Sequence, residues 1–284
     1  MNLYWCRTNP QNVGDALNIW LWKRLIPDLE SLDPSGTLFG IGSILDDRLN
    51  SPGPKYILGS GARSNDHGIR KEADLRIFSL RGPLTAMALN APSKLAMTDP
   101  ASMIFRLKET KCCGSDIGLI PYFSASQKTW SLIAENIGYR FISPHLDIEE
   151  FLSELSQCKF VITEAMHGAI LADSLRIPFF PIRANSAALE GNTNIFKWND
   201  WAESLSLQFE PINLPPLWTT DEDSTRPTVI FKRSLKMKWI ERKLKLITSS
   251  RNRVLSNEMI LQNKLSQLED AIYKFRQAAS TRFE

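Results

Sequence analysis

The sequence predicts an α/β protein of two parallel-sheet halves followed by a long helical tail. Three observations carry this. Apolar runs of four to six residues alternate with amphipathic stretches over most of the chain, the mark of strands buried on both faces in βα units. A polar stretch at 108–115 divides that alternation into two parts. From 229 to 283 the chain holds neither Gly nor Pro, so nothing there breaks a helix.

In chain order, strands are read at 3–6, 38–41, 56–58 and 75–80, then at 117–120, 140–142, 160–163 and 179–181. Helices are read at 16–25, 83–89, 129–136, 148–158 and 168–175. The unit at 160–163 is the best formed: an apolar run, a turn, and a helix that ends ahead of Ile177-Pro178, where proline stops it. Residues 213–228 hold Pro215, Pro216 and Pro227 among acidic and hydroxyl residues and read as a linker. The expected organisation is therefore 1–110, 111–212, the linker 213–228 and a basic tail at 229–284. In that tail Ile240, Leu244, Ile247, Arg251, Val254, Glu258, Leu261, Leu265, Leu268, Ile272 and Phe275 alternate steps of four and three. This is a heptad seam broken only by Arg251 and Glu258. Two readings of it stand: a coiled coil that makes a homo-oligomer, or an amphipathic helix folded back on its own body.

Composition narrows the class. Of 284 residues, 43% are hydrophobic and 23% charged, which excludes wholesale disorder. No apolar run approaches the roughly 20 residues of a membrane span. The opening residues lack the basic and apolar regions of a signal peptide, so a cytoplasmic location is expected. The cysteines (Cys6, Cys112, Cys113, Cys158) form no CxxC, and His67, His145 and His167 form no ligand pair, so no metal is expected. The net charge of +3 hides a split of −5 over 1–228 and +8 over 229–284. A tail so basic suits an anionic surface, either lipid headgroups or nucleic acid.

No Walker loop, GxGxxG fingerprint, nucleophile elbow or zincin helix is present. The chemistry is sought in loops that follow strands, because ligands of open parallel sheets bind beyond the carboxyl ends of the strands. After the first strand, Asn12-Val13-Gly14-Asp15 enters a helix; Gly14 permits close backbone approach, Asp15 is read as the cap, and free amides there hold anions. Gly40-Ile41-Gly42-Ser43 and Gly59-Ser60-Gly61 follow the next two strands and read as a floor on which a ligand lies against backbone. Arg81 leaves a strand just before Pro83 opens a helix, a place suited to a carboxylate or phosphate. Thr163-Glu164-Ala165-Met166-His167-Gly168 puts a histidine in a strand-to-helix turn, and imidazole serves as general acid or base near neutral pH. Each feature also has an ordinary structural reading: a cap, a tight turn, a surface arginine, a structural histidine.

Taken in order, these elements resemble the polysaccharide pyruvyl transferase family. The motifs are Asn12-Val13-Gly14-Asp15, then Ser79-Leu80-Arg81-Gly82-Pro83-Leu84-Thr85, Thr98-Asp99-Pro100-Ala101, and Ile120-Pro121-Tyr122. Cys158-Lys159-Phe160-Val161-Ile162 with His167-Gly168, and Lys197-Trp198-Asn199-Asp200-Trp201, complete the set. They span residues 1–201 or so and look most like the branch acting on exopolysaccharides such as succinoglycan. Thr163, Glu164 and Ala165 stand where the family often has serines.

The resemblance implies two Rossmann-like domains in a GT-B-like arrangement. It implies phosphoenolpyruvate as donor and, as acceptor, a sugar with two free hydroxyls, typically in a lipid-linked oligosaccharide at the inner face of the plasma membrane. The product is a cyclic pyruvate ketal, with no cofactor or metal. On this chain it makes His167 the acid/base, with Glu164 to orient it or to deprotonate an acceptor hydroxyl. Arg81 and Lys197 would neutralise the donor, which Asn12, Gly14, Asp15 and Gly168 would help position. Two rivals come from other classes: a sugar-nucleotide glycosyltransferase on the same fold, and a non-catalytic scaffold acting through its helical tail. No base-reading module is seen, so nucleic acid is not an expected partner.

Overall fold

A computed structural model describes residues 1–66, 68–69, 74–107, 114–217, 227–249 and 253–280. His67, Cys112, Cys113, Arg251, most of the dividing stretch 108–115 and the linker residues 218–226 lie outside them. The chain forms two compact units, each drawn from separated segments. Unit 1 comprises Met1–Leu107, Asn192–Gln208 and Ser256–Glu284; unit 2 comprises Lys108–Gly191 and Phe209–Leu255.

Unit 1 is built on four parallel strands, β1 (Asn2–Tyr4), β2 (Thr37–Phe39), β3 (Lys55–Leu58) and β4 (Leu75–Ser79), in the order β1-β2-β3-β4. Helix α1 (Val13–Leu25) follows β1, and α2 (Pro83–Ala88) and the short α3 (Ile104–Leu107) follow β4. Phe39, Ile57 and Leu80 anchor one core. β2 and β3 are buried at every position, Thr37 and Lys55 at their starts included, as befits strands covered on both faces.

Unit 2 holds β5 (Asp116–Ile120), α4 (Gln127–Ile137), β6 (Arg140–Phe141), α5 (Ile148–Ser156), β7 (Cys158–Thr163), α6 (Met166–Ser174), β8 (Phe179–Arg183) and α7 (Asn185–Glu190). After α8 (Asn192–Ser204), which packs in unit 1, the chain adds β9 (Ile212–Asn213) and α9 (Pro227–Ser249) to unit 2. All five strands are parallel in the order β6-β5-β7-β8-β9. Each expected strand is present to within two residues, and both sheets are parallel as expected.

The tail departs from expectation. It is two helices, α9 and α10 (Glu258–Ser280), and they belong to different units. Between them Val254 exchanges two 2.9 Å backbone bonds with Phe179, so residues 253–257 are not helical and the seam is not continuous. Ile240, Leu244 and Ile247 are buried in the core of unit 2, against α4 and the sheet. Leu261, Leu265, Leu268 and Phe275 are buried in unit 1, with the Phe275 ring edge-on to Tyr56 at 5.5 Å and to Phe78 at 5.7 Å. The coiled-coil reading fails for this physical reason: the apolar seam is already covered by the protein's own sheets. For the same reason 229–284 is not an appendage, and α8 moves residues 192–208 out of the expected second domain.

Candidate active site

Each unit has its own carboxyl sheet edge. In unit 1 the loop after β1 leads into α1, and Asn12 caps it: Oδ1 accepts the Asp15 amide at 3.2 Å, and Nδ2 donates to Asp15 Oδ2. The sequence reading gave the cap to Asp15. Asn12 takes it because its backbone is extended just ahead of the first helical residue, which leaves Asp15 in the first turn as the reciprocal partner. Gly14 is buried in that turn.

Three of the four glycines in the pairs after β2 and β3, Gly40, Gly59 and Gly61, do not clear space for a ligand. A Cβ on Gly40 would stand 2.1 Å from Trp22 Nε1, and one on Gly61 would stand 2.1 Å from Arg81 Cζ. They make room for the protein's own side chains.

Arg81 is fully buried, and each of its guanidinium nitrogens has an internal acceptor. Nε donates to Asp200 Oδ2 at 2.8 Å, Nη2 to the Ala62 carbonyl at 2.9 Å, and Nη1 to Ser43 Oγ. Asp200, also fully buried, accepts the Thr85 amide at 2.9 Å and the Thr85 hydroxyl at 2.6 Å. Arg81 thus ties the loops after β2 and β3 to α8, with all three guanidinium nitrogens engaged inside the protein. Lys197 lies half-buried on α8, one turn before Asp200.

In unit 2, Glu164 follows β7 and is buried. Its Oε1 accepts the amides of Ala184 and Ser186 at 2.7 Å each and the Ser186 hydroxyl at 2.8 Å. It therefore braces the loop after β7 against the loop after β8. Burial pushes its carboxyl upward from the ordinary range, and these donors pull the other way. Thr163 Oγ1 closes the intervening turn, donating to the Ala165 carbonyl at 2.9 Å and accepting the Ala165 amide at 3.1 Å. His167 is half-buried in the first turn of α6. Gly168 lets that helix sit close on the sheet: a Cβ there would meet Thr163 Oγ1 at 2.6 Å and Ile120 Cδ1 at 3.1 Å. Among the described residues, no group of three or more His, Cys, Asp or Glu side chains is placed to hold a metal.

A family model described as polysaccharide pyruvyl transferase matches residues 107–186, which contain Glu164, His167 and Gly168. The chain is also 32% identical, over 222 residues, to the succinoglycan biosynthesis protein ExoV of Rhizobium meliloti (strain 1021), covering 76% of this chain and 68% of that protein. The chain belongs to the polysaccharide pyruvyl transferase family. No solved structure matches it significantly.

Of the site residues expected of this pyruvyl transferase, the structure brings Glu164, His167 and Gly168 onto the carboxyl edge of unit 2. It places Asn12, Gly14 and Asp15 together at the start of α1, and Arg81 and Lys197 elsewhere in unit 1. Two residues of that enzyme escaped the sequence reading. Asp200, inside the quoted Lys197–Trp201 motif, is the partner that fixes Arg81. Arg183 ends β8, beside the loop that Glu164 braces; it is half-buried, and its buried Nε has no hydrogen-bond partner among the described residues. A strand-end arginine is the signal that singled out Arg81, and it applies equally here.

Proposed function

We propose that this pyruvyl transferase moves pyruvate from phosphoenolpyruvate onto two hydroxyls of one sugar in an exopolysaccharide precursor, forming a cyclic ketal. In this reading the acceptor is carried on a lipid, and the enzyme works at the inner face of the membrane. The observation that carries the reading is the 32% identity, over 76% of the chain, to a succinoglycan biosynthesis protein.

The chemistry requires a proton on the methylene carbon of the donor. The central carbon then becomes oxocarbenium-like, and a sugar hydroxyl attacks it and loses its proton. The carbon–oxygen bond to phosphate breaks, the second hydroxyl adds to the same carbon and loses its proton, and the ring closes. One donor and one diol give one ketal and one hydrogen phosphate. His167, half-buried in the first turn of α6, suits the proton transfers. Arg183, on the same sheet edge, suits the donor's carboxylate or phosphate better than the enclosed Arg81 does. Glu164 is assigned to holding the two loops in register.

The test is phosphate release from phosphoenolpyruvate in the presence of acceptor oligosaccharide, with the ketal methyl followed by NMR. One phosphate per ketal is expected. Nucleotide release from nucleotide sugars, with phosphoenolpyruvate inert, would overturn the reading in favour of a glycosyltransferase.

A further inference from the structure

Helix α9 has two apolar stripes, and the described residues cover only one. Ile240, Leu244 and Ile247 face the core of unit 2. Phe231, Leu235, Trp239 and Leu246 are 64%, 52%, 44% and 56% exposed. At the helical repeat they fall within an arc of about 80°, centred about 140° from Ile240. Cations border that arc: Lys238 and Lys245 on one side, Lys232 and Lys243 on the other, and Arg242 inside it, all exposed. The Lys243 ammonium lies 5.3 Å from the centre of the Trp239 ring. Glu241, the one acid of the helix, is turned away and accepts from Asn136 Nδ2 at 2.8 Å.

We infer that this outward stripe is a docking surface for an anionic lipid bilayer, on which α9 lies in the plane of the headgroups. Ile240, Leu244 and Ile247, the first aliphatic positions of the heptad seam, are not available for this contact. Those three residues are committed to the core, and the stripe on the other side of the helix makes the contact. Charge complementarity selects the occupant. Exposed aromatic and aliphatic side chains enter the acyl boundary, tryptophan sits at headgroup level, and the flanking cations meet anionic headgroups. A second copy of the same stripe would set five cations against five. A nucleic acid would satisfy the cations and leave the stripe in water. No described helix is long and apolar enough to cross a membrane, so the contact is peripheral. The inference rests on the membrane location proposed above and names the surface that meets it; the donor and acceptor do not enter it.

The experiment floats the full chain with vesicles of phosphatidylcholine alone, or of phosphatidylcholine with phosphatidylglycerol, at low and physiological salt. Binding to the anionic vesicles only, weakened by salt, is expected. Lys238→Ala and Lys245→Ala should each reduce partitioning about fivefold. Leu235→Glu with Trp239→Glu should reduce it at least about tenfold while leaving the melting temperature unchanged. No flotation, flotation indifferent to lipid charge, or a Leu235→Glu/Trp239→Glu variant that floats like wild type would overturn the inference. So would a dimer that this double variant disperses. Phosphate release from phosphoenolpyruvate with a water-soluble acceptor is measured in parallel, so a failed docking surface and a failed reaction are told apart.

Discussion

Arg81 holds Asp200, Ser43 and the Ala62 carbonyl at once, with no part of it in water. Removing either charge strands the other in the interior. Arg81→Ala and Asp200→Ala should therefore each cost about 3–5 kcal/mol in urea denaturation. A donor-binding role would instead leave stability intact and raise the donor's KM, so the two measurements separate the roles. Glu164 gives a pH signature. A carboxyl raised by burial binds its proton more tightly in the folded state. Its contribution is full below the ordinary carboxylate value and is lost as pH rises through the raised folded value. Wild type should lose stability across that window relative to Glu164→Gln, as read from urea midpoints against pH; parallel curves would count against it. His167→Ala should fold normally, since the side chain is half-buried, and lower turnover about 100- to 10,000-fold. Turnover within a factor of about ten of wild type would remove it from the mechanism.

At the scale of elements, strands were legible because a parallel strand buried on both faces carries an apolar run, and Leu38-Phe39, Tyr56-Ile57-Leu58 and Phe160-Val161-Ile162 are the runs inside β2, β3 and β7. The expected end of the eighth strand, at Pro181, falls two residues short of the end of β8 at Arg183. Pro181 is tolerated because β9 pairs only Ile182 and Arg183 on that side. That early end hid Arg183. Helix α8 was missed although Trp198, Trp201 and Ala202 are spaced i, i+3, i+4 and all buried; its asparagines and aspartate have low helix propensity. The heptad spacing of the tail was real, but periodicity tells which face is covered and not what covers it. The cap of α1 turned on which of two good capping residues stood in extended backbone. Asn12→Ala should cost about 1 kcal/mol, with Asn12→Asp retaining most of it; equal melting of Asn12→Ala and wild type would return the cap to Asp15.

The whole molecule is not a string of domains, because each unit is completed by chain that arrives late. In unit 1 the late element is α10. It covers β3 and β4 with Phe275 against Tyr56 and Phe78, and its Lys264 Nζ donates to the Ala96 carbonyl at 3.0 Å. Near its end the Asp33 amide donates to the Ala279 carbonyl at 3.1 Å, and Arg276 pairs with Asp28 at 2.7 Å. Burying Phe275, Leu261, Leu265 and Leu268 this way makes α10 part of the core. Phe275→Ala alone should cost about 3–5 kcal/mol. Deleting 256–284 should expose the aromatic face of the first sheet and abolish its cooperative folding, while α9 and the core of unit 2 remain. Hydrogen exchange reports the two units separately: amides of β2 and β3 should lose protection in the truncated chain, and those of β5 and β7 should keep it. Protection of β2 and β3 unchanged by the deletion would make α10 dispensable to the fold of unit 1.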